Sequence, residues 1–169
     1  MARIAIVLAD DFEDSEFRQP YDALRAAGHE IEVLGTTAGT LVKGKHGEQM
    51  VRIEAAAADE DPASYDALVI PGGYSPDHLR MDRDVVDFVT EMVQAGKLIA
   101  AVCHGPQLLI EANAVDGKHL TSWPSVRKDL ENAGAYWSDQ EVVTDDKLIT
   151  SRKPADLAAF SAAINHALA

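Results

Sequence analysis

The feature that most constrains the fold is an alternation of short, almost wholly apolar runs with longer amphipathic segments. The runs at residues 3–9, 67–70 and 97–102 lack the polar alternation of a half-exposed strand. Uninterrupted apolar strands are typical of a parallel sheet that is buried on both faces. The segment 14–27 between two such runs places its apolar residues at helical spacing. The pattern therefore predicts an α/β sandwich, with a mostly parallel sheet and helices on both faces.

The remaining elements are predicted from the same periodicities and from their end signals. Further strands are predicted at 31–34, 141–144 and 147–151, and a hairpin at 40–43 and 49–53. Further helices are predicted at 84–95, 105–114, 124–133 and 154–167. Ser125 is a plausible N-cap, and the stretch 55–62 is interpreted as an exposed connection. Since no repeat or linker interrupts the series, we expect one domain over residues 1–169.

Composition excludes several classes of partner. The 169 residues include 15 Lys and Arg and 28 Asp and Glu, which gives a formal net charge of −13. Such an acidic chain without a basic stripe repels nucleic acid and anionic membranes. One cysteine permits no intramolecular disulfide, and no stretch resembles a signal segment or a membrane span. We therefore expect a cytoplasmic protein.

Metal and cofactor sites are not indicated either. The six histidines are scattered and form no zinc-like spacing with the cysteine or with one another. The chain has no P-loop and no dinucleotide-binding glycine pattern. The sequence predicts neither a metal nor a cofactor.

The strongest chemical signal is Cys103, which stands where the apolar run 97–102 passes into a predicted helix. A nucleophile at a strand-to-helix turn projects from the carboxyl edge of the sheet, where open α/β sheets bind ligands. Gly105 would allow the chain to pack closely there, and a helix N-terminus is expected to lower the pKa of a thiol. A buried, inert core cysteine is the competing interpretation.

Residues near two other strand ends could complete a catalytic site. His104 follows the cysteine and is the candidate base, although adjacent side chains need not face each other. Glu13 follows the first strand and could hydrogen-bond the thiol, remaining protonated beside a thiolate; its alternative role is to cap the next helix. Asp10, Asp11 and Asp14 are interpreted as capping acids.

The third apolar run ends in Gly72 and Gly73, whose N–H groups could bind an oxyanion. A tight turn would explain these glycines equally well. Asp77, in the loop that follows, could orient a histidine or be a solvated loop acid. Trp123 is either a core aromatic or a loop aromatic near a pocket.

Taken together in order and spacing, these segments resemble the PfpI family (intracellular protease I and general stress proteins) of the ThiJ/PfpI/DJ-one superfamily, whose folds are related to class I glutamine amidotransferases. The resemblance covers nearly the whole chain. Its markers are Asp11-Phe-Glu-Asp14, Gly44-Lys-His-Gly47, Leu68-Val-Ile-Pro-Gly-Gly73, Ala101-Val-Cys-His-Gly-Pro106, Thr121-Ser-Trp-Pro124 and Ser151-Arg-Lys-Pro-Ala-Asp156.

The resemblance implies a flavodoxin-like sandwich that forms homodimers or hexamers. It implies Cys103 as nucleophile, His104 as base and Glu13 as the carboxyl that supports the thiol. Asp77 matches the acid that reaches the histidine of the neighbouring subunit, although the proteases of this family have Glu there. The oxyanion donors would be the amides of Gly73 and His104.

The same resemblance is compatible with three hypotheses about the activity. The preferred one is a glyoxalase- or deglycase-like stress-response enzyme that acts on methylglyoxal or on glycated protein through the Cys103 thiolate. An ATP-independent cysteine peptidase is the enzymatic alternative. A redox sensor or chaperone that uses oxidation of Cys103 is the non-enzymatic one. Glutamine amidotransferase activity is set aside, because the His-x-Glu pair that it needs late in the chain is missing. His166 is followed by Ala-Leu-Ala, with no acid.

Overall fold

The computed structural model describes residues 1–169 and contains eleven strands and six α-helices. The strands are β1 (Arg3–Val7), β2 (Glu30–Gly35), β3 (Leu41–Lys43), β4 (Met50–Arg52), β5 (Ala55–Ala56), β6 (Ala67–Ile70), β7 (Leu98–Val102), β8 (His119–Leu120), β9 (Tyr136–Trp137), β10 (Val143–Asp145) and β11 (Leu148–Ser151). The helices are α1 (Asp14–Ala26), α2 (Ser75–Leu79), α3 (Arg83–Gln94), α4 (Pro106–Glu111), α5 (Arg127–Asn132) and α6 (Leu157–Leu168). No helix is both long and apolar enough to cross a bilayer.

Seven strands form the main sheet in the order β10-β11-β7-β6-β1-β2-β5. Every neighbouring pair is parallel except β10 with β11, which is antiparallel. The uninterrupted apolar runs become β1, β6 and β7 at the centre of the sheet, where both faces are covered. The mostly parallel α/β sandwich predicted from the sequence is confirmed.

Helices cover both faces of the sheet and enclose two apolar cores. One core joins the sheet to α1 and α6 through side chains such as Phe17, Phe160 and Ile164. The other joins the opposite face to α3, α4 and α5 through side chains such as Phe88, Leu108 and Leu130. The structure is therefore a three-layer sandwich of helices, sheet and helices.

Three local predictions were wrong. The stretch 55–62 is not simply an exposed connection, because Ala55–Ala56 adds a strand beside β2 and Ala57 is buried. Ser125 is not an N-cap: it lies inside a 3-10 turn, Pro124–Val126, that precedes α5. The short helix α2 was missed, since Pro76 and the neighbouring polar residues are equally typical of a loop.

The order of the strands brings the chemical residues to one edge of the sheet. The chain leaves β1 for β2 on one side and later returns to β6 on the other side, so the order reverses at β1. The carboxyl ends of strands beside such a reversal are where open α/β sheets bind ligands. The loops after β1 and β6 are tied together there, because Tyr74 N donates to Asp11 O at 2.8 Å and Glu13 N donates to Gly72 O at 3.2 Å.

The hairpin of β3 and β4 is anchored to this edge by a buried carboxylate. Asp14, the first residue of α1, is 2% exposed and accepts N–H bonds from His46, Glu48 and Gln49 at 2.9 Å each. A Cβ atom on Gly44 would lie 2.1 Å from the Asp14 carboxylate. Gly44 is therefore required for this packing, which explains the first glycine of the Gly44-Lys-His-Gly47 turn.

Burial alone would raise the pKa of Asp14, but the backbone N–H donors lower it overall, below its ordinary value. A carboxyl with a lowered pKa in the fold stabilises it above the pKa of the unfolded chain. That stabilisation is lost as the pH falls through the pKa of the folded state.

We expect Asp14→Asn to lower the free energy of unfolding by about 2–4 kcal/mol at neutral pH, because an amide leaves N–H donors of the turn unpaired. The deficit should shrink below about pH 4, because Asp14 of the unfolded chain takes up a proton there and the folded carboxyl follows at lower pH. Urea unfolding at neutral pH and below about pH 4 measures it. The matched control is Asp22→Asn on the exposed face of α1, where the pair with Arg18 is exposed and a change within about 0.5 kcal/mol is expected. An equal effect of the two variants would contradict the anchoring role.

Candidate active site

Cys103 lies directly after β7 in a strained backbone conformation. Its φ is +62°, a left-handed value that non-glycine residues rarely adopt and that costs about 1–3 kcal/mol. The backbone is held on both sides: Cys103 N donates to Ser151 O at 3.0 Å, and Trp123 N donates to Cys103 O at 2.9 Å. A strained residue fixed at a strand-to-helix turn is the geometry of an activated nucleophile.

Gly105 makes this turn possible. A Cβ atom there would lie 2.5 Å from the carbonyl oxygen of Ile70 and 2.9 Å from that of Val102. Only glycine lets the turn lie against the ends of β6 and β7. The close approach expected of Gly105 from the sequence is present in the structure.

The sulfur of Cys103 faces three nitrogen groups. The backbone N–H groups of His104 and Gly73 lie near enough to lower its pKa, and Sγ lies 3.3 Å from Nδ1 of His104. Two backbone donors at one point can stabilise a negative charge on sulfur or on an oxygen bound next to it. The structure therefore places the sequence-predicted residues Cys103, His104 and Gly73 together.

The carboxyl beside the thiol belongs to Glu16 and not to Glu13. Glu16 is fully buried in the first turn of α1, where its Oε1 accepts the N–H of Gly72 at 2.9 Å and its carboxyl acts on the pKa of the Cys103 thiol. The prediction that Glu13 hydrogen-bonds the thiol was wrong, because Glu13 precedes the first turn of α1 and its carboxyl oxygens bind two other side chains. Its Oε2 lies 2.7 Å from Lys45 Nζ and its Oε1 lies 3.0 Å from His46 Nε2.

Gly72 is a packing and positioning residue in the resting structure, because its N–H is already bonded to Glu16. A Cβ atom on Gly72 would lie 2.6 Å from Glu16 Oε1 and 2.9 Å from both Cys103 Cβ and His104 N. The glycine therefore allows the acid and the nucleophile to lie against the same point of the backbone. The sequence predicted Gly72 and Gly73 as oxyanion donors. Of these two glycines, only Gly73 has its N–H close enough to the sulfur to lower the pKa of the thiol.

The buried acid and the thiol titrate as a pair. Burial raises the pKa of Glu16 to about 8, so this carboxyl keeps its proton at neutral pH. Since Oε1 accepts the Gly72 N–H, the proton belongs on Oε2, which is buried and makes no hydrogen bond. A protonated carboxyl can donate a hydrogen bond to a thiolate, so Glu16 is suited to stabilise the sulfur once the thiol proton has left.

The sequence predicted a lowered pKa for the Cys103 thiol from a helix N-terminus, and this prediction was wrong, because burial holds the pKa of the thiol above its ordinary value. Burial raises the pKa of the thiol, an ionised Glu16 raises it further, and the N–H groups of His104 and Gly73 lower it. The following helix, α4, has only six residues, so its dipole is small. While Glu16 is protonated, its charge no longer disfavours the thiolate.

His104 is placed to receive the thiol proton. Burial lowers the pKa of its imidazole, and the positive charge of Lys45 lowers it further. The ring is therefore neutral at neutral pH, with Nδ1 facing the sulfur and Nε2 3.5 Å from Ser125 Oγ. Trp123, 39% exposed, stacks on this ring with 6.2 Å between centroids. The loop aromatic predicted near the site thus lies against the candidate base.

Asp77 is not joined to the rest of the site within this chain. It lies on α2, it is exposed, and it makes no hydrogen bond or ion pair with another residue of the chain. The polar neighbour of His104 Nε2 is Ser125. No group of three or more His, Cys, Asp or Glu side chains is arranged to hold a metal ion.

Sequence reasoning missed three residues of the site: Glu16, Lys45 and Ser125. For Glu16 a signal was present, because Glu16, Pro20 and Leu24 follow one another at intervals of four residues and all three are buried. An acid on the apolar stripe of a helix is costly unless it has a partner or a function. Lys45 and Ser125 carry no comparable signal, since their positions depend on how two loops fold over the sheet edge.

Comparison with known proteins places these features in a family. The sequence profile of the DJ-1/PfpI family matches residues 2–167. An Escherichia coli K12 relative named protein/nucleic acid deglycase 2 is 49% identical over 160 residues, which are 94% of this chain and 93% of the relative. A Bacillus subtilis relative named as a candidate cysteine protease, YraA, is 45% identical over 159 residues, 94% of each chain.

Among solved structures, a two-domain protein from Anabaena variabilis superposes with a TM-score of 0.98 and 42% identity over 99% of this chain. That protein contains DJ-1/ThiJ/PfpI-like and ferritin-like domains, and the match spans 48% of its length, so this chain covers about half of it. The profile match over nearly every residue, together with the two close relatives, shows that this chain belongs to the DJ-1/PfpI family.

Proposed function

We propose that this protein is a cysteine-dependent enzyme that acts on reactive carbonyl compounds, either small 2-oxoaldehydes such as methylglyoxal or their adducts on protein. The observation that carries the proposal is the arrangement at one sulfur: His104 Nδ1 at 3.3 Å, two backbone N–H donors and the buried carboxyl of Glu16. This arrangement supplies a nucleophile, a base, a proton donor and a site for negative charge around one sulfur atom.

The first step is addition of the thiol to an aldehyde carbon. Neutral His104 accepts the Sγ proton through Nδ1 as sulfur bonds to carbon, and the carbonyl π electrons move onto oxygen. The N–H groups of Gly73 and His104 are the donors nearest to this developing charge. Return of the proton to that oxygen gives a neutral hemithioacetal, so no group leaves and no external reductant is needed.

With methylglyoxal, the second stage moves hydrogen between two carbon atoms. A base removes the proton from the carbon bonded to sulfur, an enediol forms, and a proton returns at the neighbouring carbon to give a lactoyl thioester. Water then hydrolyses the thioester to lactate and restores the thiol. Glu16, whose pKa of about 8 lies near neutral pH, is suited to exchange a proton in this stage.

The environment of His104 favours carbonyl addition over amide hydrolysis. Cleavage of an amide requires an oriented histidine that protonates the departing amine. Within this chain no carboxylate holds His104, whose Nε2 faces only Ser125 Oγ at 3.5 Å. Addition to an aldehyde releases no amine, so His104 does not have to be held in the orientation that protonates one. The deglycase name of the 49% identical relative supports the same substrate class.

A peptidase is the second candidate, favoured by the exposed position of Asp77 and by the name of the 45% identical relative. In a homodimer or hexamer, Asp77 of one copy could orient His104 of another. Asp is shorter than Glu, so the reach of this carboxylate would decide between the two activities.

The decisive experiment measures methylglyoxal loss and lactate formation by freshly reduced wild type and by Cys103→Ala. We expect lactate from the wild type and only the uncatalysed background from the variant, because the variant lacks the nucleophile. Lactate from both proteins, or from neither, would contradict the proposal. In the second case, a peroxide-dependent mass gain confined to Cys103 would favour a redox sensor instead.

We expect Glu16→Gln to lower turnover by about 100-fold or more, because an amide cannot exchange the proton that a carboxyl with a pKa of about 8 can. The wild-type rate should also fall as the pH rises through that value and Glu16 ionises. Initial rates across the neutral and alkaline range measure both effects. Glu91→Gln, a change to an exposed acid on α3 whose side chain makes no hydrogen bond or ion pair, is the control and should retain the wild-type profile.

Glu16→Gln also tests the protonation of Glu16 through folding stability, independently of turnover. Because folding raises the pKa of Glu16 from 4.5 to about 8, the folded state binds its proton more tightly, and wild-type stability should fall as the pH rises between these values. The full loss is about 5 kcal/mol. Glu16→Gln removes this dependence, so its unfolding free energy should vary less with pH. Identical pH dependence in the two proteins would show that Glu16 is not protonated by burial.

Asp77 tests the choice between the two candidate activities. We expect Asp77→Asn to leave methylglyoxal turnover within about twofold of wild type, because Asp77 contacts no reacting group in this chain. Hydrolysis of a fluorogenic peptide amide by wild type, abolished in Asp77→Asn and increased in Asp77→Glu, would favour the peptidase. The first assay alone should separate the two, since only a carbonyl enzyme releases lactate.

A further inference from the structure

An ion pair beside the thiol has no part in the mechanism described so far. Lys45 Nζ lies 2.7 Å from Glu13 Oε2, and the Glu13 side chain is only 12% exposed. The backbone next to this pair adjoins the reacting residues: Glu13 N donates to the carbonyl oxygen of Gly72, where an added Cβ would lie 2.9 Å from Cys103 Cβ. The ammonium group therefore stands at the edge of the site.

The position of Lys45 is fixed by the start of α1 and not by the ion pair alone. Its backbone N–H donates to the carbonyl oxygen of Phe12 at 2.9 Å. The next residues of the turn are held by the Asp14 carboxylate, which accepts the N–H groups of His46, Glu48 and Gln49. The segment that places Glu16 near the thiol thus also places Lys45, so the positions of these two side chains relative to each other are fixed.

Six titratable groups surround this point, and they come from three segments. They are Glu13 and Glu16 at the start of α1, Lys45 and His46 in the hairpin turn, and Cys103 and His104 after β7. The charge of Lys45 acts on Cys103 and Glu16 and disfavours protonation of His104. Of these six groups, Lys45 is the one that is positively charged throughout the neutral range.

We propose that Lys45 is a positioning residue that stabilises negative charge on the Cys103 sulfur, and that Glu13 holds Lys45 in place while moderating its charge. A cation beside a thiol favours the thiolate. Burial of the sulfur makes such help valuable, because a thiolate surrounded by apolar atoms loses its hydration. The proposal deepens the proposed function, on which its consequence for turnover rests, but the thiolate itself can be measured without any aldehyde.

The test is the pH dependence of alkylation of Cys103 by iodoacetamide, followed by intact mass. Since the chain has one cysteine, the mass change reports this residue alone. We expect Lys45→Met to move the midpoint of alkylation upward by about 0.5–1 pH unit, because one nearby positive charge is lost. Lys45→Arg should restore the midpoint, since it keeps the charge. Glu13→Gln should move it downward, because it removes a negative charge from the same group.

Lys43→Met provides the matched control, because Lys43 is an exposed lysine in the same hairpin and does not pair with Glu13. Its midpoint should equal that of wild type. Wild-type midpoints in both Lys45→Met and Glu13→Gln would overturn the proposal, as would equal shifts in Lys43→Met and Lys45→Met. If Lys45→Met does not fold, the direction of the shift in Glu13→Gln decides alone. Failure of lactate formation with these shifts intact would contradict the proposed function and leave the role of Lys45 standing.

Discussion

The site depends on one hydrogen bond, from the backbone N–H of Gly72 to the buried carboxyl of Glu16. This bond joins the end of β6 to the first turn of α1, and it leaves Oε2 as the carboxyl oxygen that carries the proton. It also satisfies part of an acid that burial would otherwise make very costly. Without it, the Glu16 carboxyl would have no defined direction beside Cys103.

Glycines make this contact geometrically possible. The Cα of Gly72 lies where any side chain would strike the acid, the nucleophile and the amide of His104. Gly105 likewise lets the turn beneath the nucleophile lie against the ends of β6 and β7. Gly44 leaves room for the carboxylate of Asp14. Three close approaches thus bring the loops after β1, β6 and β7 and the hairpin to one point. The positive φ of Cys103 is the strain that this convergence imposes on the nucleophile.

The sequence was sufficient for the fold, because uninterrupted apolar runs and helical spacing report burial, and burial decides layers and strand type. It was also sufficient to bring Cys103, His104 and Gly73 to one edge of the sheet, since each lies close after a predicted strand and the carboxyl ends of parallel strands meet there. It failed at Glu13 because a difference of three residues is nearly one helical turn, and the entry angle of α1 cannot be obtained from spacing. Ser125 and Lys45 depend on tertiary packing of loops, for which a single sequence has no period.

The edges of the sheet have a consequence for how copies of this chain can meet. The main sheet ends in β5, of two residues, and in β10, of three, which contains Asp145. Edge strands this short offer few unpaired backbone groups to a strand from another molecule. Growth of the sheet across a molecular boundary is therefore disfavoured, and assembly would have to use side-chain surfaces. A protein whose reactive groups lie on loops between strands can then associate or separate without disturbing the ladder that holds them.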